Sequence, residues 1–218
     1  MQTNDNDDII LSCLLLFVLS VIFISLFTLL QEFVKINEKS LTHWMLNLST
    51  PMLFGRISLD YIGFFIPLVI SVILMVFLLG YAPANSDSIH ARIMVVCSLT
   101  FLTVIPFILI PQLRPFSLSG GPNIFPLFMA PFYLGCLVAK KFSKVAIPLS
   151  YVFGFMMGVS SDVASASLTA SILGGYGFVD GDFTIPLSFL IATLITIYLM
   201  RNYEKMGCAW KWFKKEVG

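Results

Sequence analysis

The stretch "IILSCLLLFVLSVIFISLFTLL", Ile9 to Leu30, contains no charged residue. As an α-helix it reaches ~33 Å, enough to cross the ~30 Å hydrocarbon core of a bilayer. The leader before it, "MQTNDNDD", is acidic, and no A-x-A-like site follows. A secretory signal has a basic start and such a cleavage site, so this run reads as an uncleaved first span.

The rest of the chain has the same character. Of 218 residues, 58% are hydrophobic and 11% charged, and the mean hydropathy is +0.92. A soluble domain carries roughly 25% charged residues and cannot hide this much apolar surface. The chain is therefore expected to be a single integral membrane domain over residues 1–218, with the lipid bilayer as its main partner. Its net charge of +1 gives no field directed at nucleic acid.

Run length places spans at about 9–30, 61–81, 93–110, 123–139, 145–168 and 183–200. The expected fold class is all-α, a polytopic transmembrane helix bundle of about six spans. Pro67, Pro106, Pro111, Pro126, Pro131, Pro148 and Pro186 lie in or beside spans. Membrane helices tolerate proline where neighbours or cavity water serve the freed carbonyls, so kinked or broken helices are expected. Residues 40–57 mix charges with Trp44, Leu46 and Phe54, which suggests an interfacial or re-entrant segment.

Basic residues set the orientation. "KKFSK" separates the fourth and fifth spans, and the tail holds Arg201, Lys205, Lys211, Lys214 and Lys215. Cytoplasmic loops are enriched in Lys and Arg, so both segments are expected in the cytoplasm of a multi-pass protein of the cell membrane. The acidic N-terminus then falls on the same side, against its own preference. Trp210, Trp212 and Phe213 among the lysines suit an interfacial anchor.

The spans are broken by "GVSSDVASASLTASILGGYGFVDGDFTIPL", Gly158 to Leu187. Asp162 falls near the end of the fifth span, among small and hydroxyl residues that include Ser161. Asp180 and Asp182 flank the start of the sixth. An ionisable residue within a span costs ~2.5–3.5 kcal/mol on insertion scales and usually faces a cavity or a partner. Asp182 also reads as a helix cap, since helix N-termini favour acids. Two acids buried together share a proton near neutrality, which suits cation binding, proton relay or acid–base work. Asp60, before the second span, reads as an N-cap that joins this cluster if the second span packs on the last two. The spacing Gly154-xxx-Gly158 lets another helix approach closely.

Other chemistry is thinly represented. Cys13, Cys97, Cys136 and Cys208 form no C-x-x-C pair and read as small buried hydrophobes. His43 and His90 have no second ligand at helical spacing, so no metal site is expected, and no cofactor motif is present. No G-x-S-x-G, H-E-x-x-H or Walker A pattern occurs.

Three pieces resemble a family of small, uncharacterised prokaryotic multi-pass membrane proteins. They are "DYIGFFIP" (Asp60 to Pro67), Ser160-Ser161-Asp162, and "GGYGFVDG" (Gly174 to Gly181). The family pattern has an Asn-x-Gly-Gly-x-x-x-Pro-like helix start, a Gly-Ala-Asp step and a Gly-Gly-x-Gly-x-Phe-Asp-Gly turn. This chain departs from it at Asp60, Phe64 and Val179. The resemblance implies a membrane architecture with Asp162 and Asp180 as its acids, and no activity. "VDGDFTIPLSFLIA" is also similar to the Gly-x-Gly-Asp segment of presenilin and signal-peptide-peptidase-type proteases. That resemblance implies a catalytic pair, Asp162 and Asp182. Val179 in place of glycine, and the lack of a Pro-Ala-Leu helix, depart from it.

Three functions stay open on the sequence. The first is transport-like handling of a cation, proton or small solute at Asp162, Asp180, Ser161 and Asp60. The second is intramembrane aspartyl proteolysis by Asp162 and Asp182. The third is a non-catalytic subunit of an oligomer or membrane complex.

Overall fold

A computed structural model describes residues 5–37, 45–50, 55–80, 124–166, 171–173 and 181–217. In chain order these are α1 (Asp5–Asn37), β1 (Met45–Thr50), β2 (Gly55–Asp60), a π-helical turn (Tyr61–Phe65), α2 (Ile66–Gly80), α3 (Ile124–Ala139), α4 (Ser143–Ala166), β3 (Ser171–Leu173) and α5 (Gly181–Val217). The described chain is predominantly helical. Three helices are long and apolar enough to cross a membrane: Asp7–Leu30, Tyr61–Leu78 and Gly181–Tyr203.

That count revises the expectation of about six spans. Ala130–Ala139 and Ser143–Val159 are shorter apolar helices. The expected span at 93–110 lies outside the described residues, as do His43, His90 and Cys97. The helices are accompanied by one small sheet. The segment expected to be interfacial forms a hairpin, with β1 antiparallel to β2 from Met45↔Asp60 to Thr50↔Gly55. β3 adds in parallel, Ile57↔Ser171 to Leu59↔Leu173. Alternation explains the strands: Leu46 and Leu48 alternate with polar Asn47 and Ser49, and Ile57 and Leu59 with Arg56 and Ser58. Pairing also satisfies backbone groups that a bilayer would leave without partners.

The helices place their apolar surface outward. Ile10, Leu14, Val18, Ile22 and Leu26 recur every four residues along α1 and are exposed, as are Val69, Val72, Ile73 and Val76 on α2. The interior holds Leu16, Leu78, Leu134, Leu149, Phe153 and Phe189, together with hydroxyls such as Ser12, Ser20, Thr193 and Thr196. An apolar exterior around a mixed interior suits lipid as the solvent.

Close contacts fix the packing. At Gly135 of α3 an added Cβ would sit 2.6 Å from the Cys13 Cα. The Ser12 hydroxyl donates to the Gly135 carbonyl at 2.8 Å, and Phe17 stacks on Phe132 at 6.2 Å between centroids. Advancing along α1 from Ser12 to Phe17 moves backward along α3 from Gly135 to Phe132, so the two helices are antiparallel. The N-terminal end of α1 thus lies beside the α3–α4 turn. That turn closes through Phe142 N–H to Leu137 O and Lys141 N–H to Val138 O, both 2.9 Å, with Lys141 left-handed at φ 62°. These are the two bonds of a Schellman closure.

The Cys13 thiol donates to the Phe132 carbonyl at 3.3 Å, and its Sγ lies 3.9 Å from the Sγ of Cys136. Mild peroxide will therefore join α1 to α3: two thiols lose two protons and two electrons to the peroxide, giving a disulfide and water. Peptide mapping under non-reducing conditions should show a Cys13–Cys136 link that reductant removes and Cys13→Ala abolishes.

Candidate functional site

The α4–α5 crossing is set by two glycines. At Gly154 an added Cβ would lie 2.6 Å from the Pro186 Cα, and at Gly158 one would lie 2.7 Å from Asp182 Oδ1 and 3.2 Å from the Asp182 Cα. At Gly154 backbone leaves room for hydrogen alone, whereas at Gly158 the nearest obstacle is the Asp182 carboxylate oxygen. The Gly154-xxx-Gly158 spacing read from the sequence is thus the surface on which α5 begins. Four residues forward on α4 correspond to four backward on α5, so these helices are also antiparallel.

Asp182 lies in the first turn of α5 and is 1% exposed. The helix starts at Gly181, two residues before the expected boundary, which places Asp182 inside the helix. The exposed amides and dipole of a helix N-terminus stabilise negative charge there. Pro186, four residues on, has no N–H to offer the Asp182 carbonyl. A buried carboxylate therefore lies in the first turn of a helix that carries proline four residues on.

Asp60 approaches the same end of the bundle. It caps the π-helical turn with extended backbone (φ −81°, ψ 137°). Its Oδ1 accepts from the Ile62 and Gly63 amides at 2.7 and 2.8 Å. It is also 1% exposed. The N-cap reading is correct. The π turn contacts α5, and the Phe64 ring meets Phe155 at 5.8 Å, one turn from Gly158. The three-stranded sheet ends here as well, since Leu59 pairs with Leu173 immediately before Asp60. Two buried acids, each at a helix start ahead of an Ile-Pro-Leu triplet, thus flank the C-terminal part of α4.

Ser161 and Asp162 belong to α4, which continues to Ala166. Position 162 is one turn beyond Gly158, so 154, 158 and 162 lie along one stripe of the helix. Asp180 lies outside the described residues, so the expected Asp162–Asp180 pair falls outside them too. No cluster of three or more His, Cys, Asp or Glu side chains forms among the described residues. Reading the sequence acid by acid missed the polar interior of α5, where Thr184, Ser188, Thr193 and Thr196 are all buried. The signal was present as hydroxyls spaced three to five residues apart inside an apolar run.

The chain matches no protein-family model, no curated protein and no solved structure.

Proposed function

We propose that this protein handles a proton, small cation or small polar solute at a carboxylate site between its last two helices. Asp182, Asp162, Asp180 and Asp60 are the acids, and Ser161 is a neighbouring hydroxyl. The observation that carries this reading is the burial of Asp182 at the point of closest approach between α4 and α5. Placing a carboxylate in a lipid-facing bundle is unfavourable by ~2.5–3.5 kcal/mol, which is offset when the group binds or relays something. Flux into liposomes should be lost in Asp182→Asn and Asp162→Asn; unchanged flux in both removes the reading.

A second reading uses the same placement. Asp182 in the first turn of α5, and position 162 one turn beyond Gly158 on α4, support a pair like that of an intramembrane aspartyl protease. One would activate water and the other would protonate the scissile carbonyl. Labelling by a transition-state isostere, lost in Asp182→Asn, would favour it over transport. A non-catalytic subunit predicts neither result, only altered complex recovery.

The arrangement also supports a topology. The N-terminal end of α1, the turn carrying Lys140, Lys141 and Lys144, and the C-terminal part of α5 lie at one end of the bundle. By the positive-inside rule that end is cytoplasmic, at the cell membrane. The acidic leader then has basic neighbours, which offsets its unfavourable side. α2 starts at the opposite end and runs toward the cytoplasmic one, whereas α3 runs toward it again. The span expected from run length at about 93–110 lies in the sequence between these two helices.

A further inference from the structure

We infer that α2, α4 and α5 enclose a hydrated station for protons, built from Ser71, Tyr151 and Thr193 and lying below the carboxylate site. The inference rests on the carboxylate reading and deepens it by naming the proton as the species handled. Ser71 is 5% exposed, Tyr151 4% and Thr193 0%. Among the described residues none of the three hydroxyls has a hydrogen-bond partner. Buried polar groups are nearly always satisfied by protein or by ordered water.

Helix register brings them together. Gly158 meets Asp182 and Gly154 meets Pro186, so at the same spacing Thr193 comes opposite position 147 of α4. Phe64 meets Phe155, and with α2 packed on α4 in the antiparallel sense Ser71 comes opposite position 148. Tyrosine on a helix leans back toward the N-terminus by about one turn. From position 151 that carries the phenol to the level of 147 and 148. Tyr151 also shares the α5-facing stripe with Gly154 and Gly158, while Asp182, Pro186, Phe189 and Thr193 recur at spacings of four, three and four along α5. α2 contacts both α4 and α5. Three hydroxyls from three helices thus converge at one depth, ~16 Å below Asp182.

The walls decide the occupant. Below the Gly158–Asp182 contact, residues 145–158 of α4, 183–200 of α5 and 66–80 of α2 include no Asp, Glu, Lys or Arg. A dehydrated metal cation would lack compensating charge there. Neutral water with hydroxyl partners needs none. A proton released from the Asp182 carboxyl passes to water, and each water or hydroxyl then accepts one proton and releases another toward the cytoplasmic end. No charge remains in the chain afterwards.

The test reads hydration first. In full-length protein with its four cysteines replaced by alanine, Thr193→Cys is treated with a small methanethiosulfonate reagent, whose sulfur is attacked by the thiolate with loss of methanesulfinate. Modification at least tenfold faster than at Leu134→Cys, a buried apolar position, is expected; equal, slow rates overturn the station. Thr193→Val gives a second reading. It lowers the unfolding temperature if water bonds the hydroxyl there, and raises it if the hydroxyl sits dry, which also overturns the station. Proton flux into liposomes should fall at least tenfold in Tyr151→Phe. Fast labelling with flux unaffected by Asp182→Asn keeps the station and removes the carboxylate reading. Flux lost in Asp182→Asn with Thr193→Cys inert does the reverse.

Discussion

Gly154→Leu will separate α5 from α4 and lower the stability of the bundle by about 3 kcal/mol, the upper range for overpacking a close contact. The obstacle is backbone: the first added carbon meets the Pro186 Cα at 2.6 Å, the Pro186 N at 2.9 Å and the Ile185 carbonyl carbon at 3.2 Å. None of these atoms can rotate away, and Pro186 has a fixed φ. Replacing glycine within a helix gains up to ~1 kcal/mol of propensity, too little to reverse the sign. Unfolding in detergent by added dodecyl sulfate, followed by circular dichroism, measures the loss. Gly158→Ala should behave differently. Its first clash, at 2.7 Å, is with the Asp182 carboxylate oxygen, and the backbone lies farther off at 3.2 Å. A side chain yields more readily than backbone, so stability falls less and the carboxylate is displaced. A Gly154→Leu protein that unfolds at the wild-type detergent concentration would rule out this crossing.

Local signals carried much of this architecture. Uncharged runs long enough for a bilayer gave the membrane class. The small-xxx-small spacing at Gly154 and Gly158 gave the contact face of α4, because close helix approach has a local requirement. Asp60 was legible as a cap, since a short acidic side chain before an apolar run can reach the first free amides. What was not legible depends on distant parts of the chain. The hairpin consists of two six-residue strands, each too short for its alternation to outweigh an interfacial reading. Its third strand comes from beyond α4. The meeting of Cys13 with Cys136 requires knowing that α1 lies against α3. Run length also set the wrong end for the last helix. α5 begins at Gly181 and continues to Val217. Glycine and aspartate suit a first turn, and the tail stays helical after its hydropathy falls. That shift of two residues moved Asp182 from a boundary into the buried wall of the site.

Asp182→Asn is expected to reduce flux by roughly a hundredfold, the lower range for removing a proton-transferring group, while leaving the bundle as stable as before or more so. Asparagine has nearly the same shape and still fits against Gly158. It carries no charge, so the desolvation that burial imposes on a carboxylate disappears. Loss of activity with stability retained separates a functional acid from a structural one. Asp60 supplies the comparison. Its Oδ1 accepts two backbone amides at 2.7 and 2.8 Å, a role that asparagine can keep and alanine cannot. Asp60→Ala should therefore lose about 1 kcal/mol of stability through the cap, and Asp60→Asn much less. If Asp182→Asn instead destabilises as Asp60→Ala does, and flux follows only the amount of folded protein, then Asp182 serves the helix start alone. The carboxylate reading would fall with it, because burial at the α4–α5 contact would then be accounted for by the helix start and the helix dipole there.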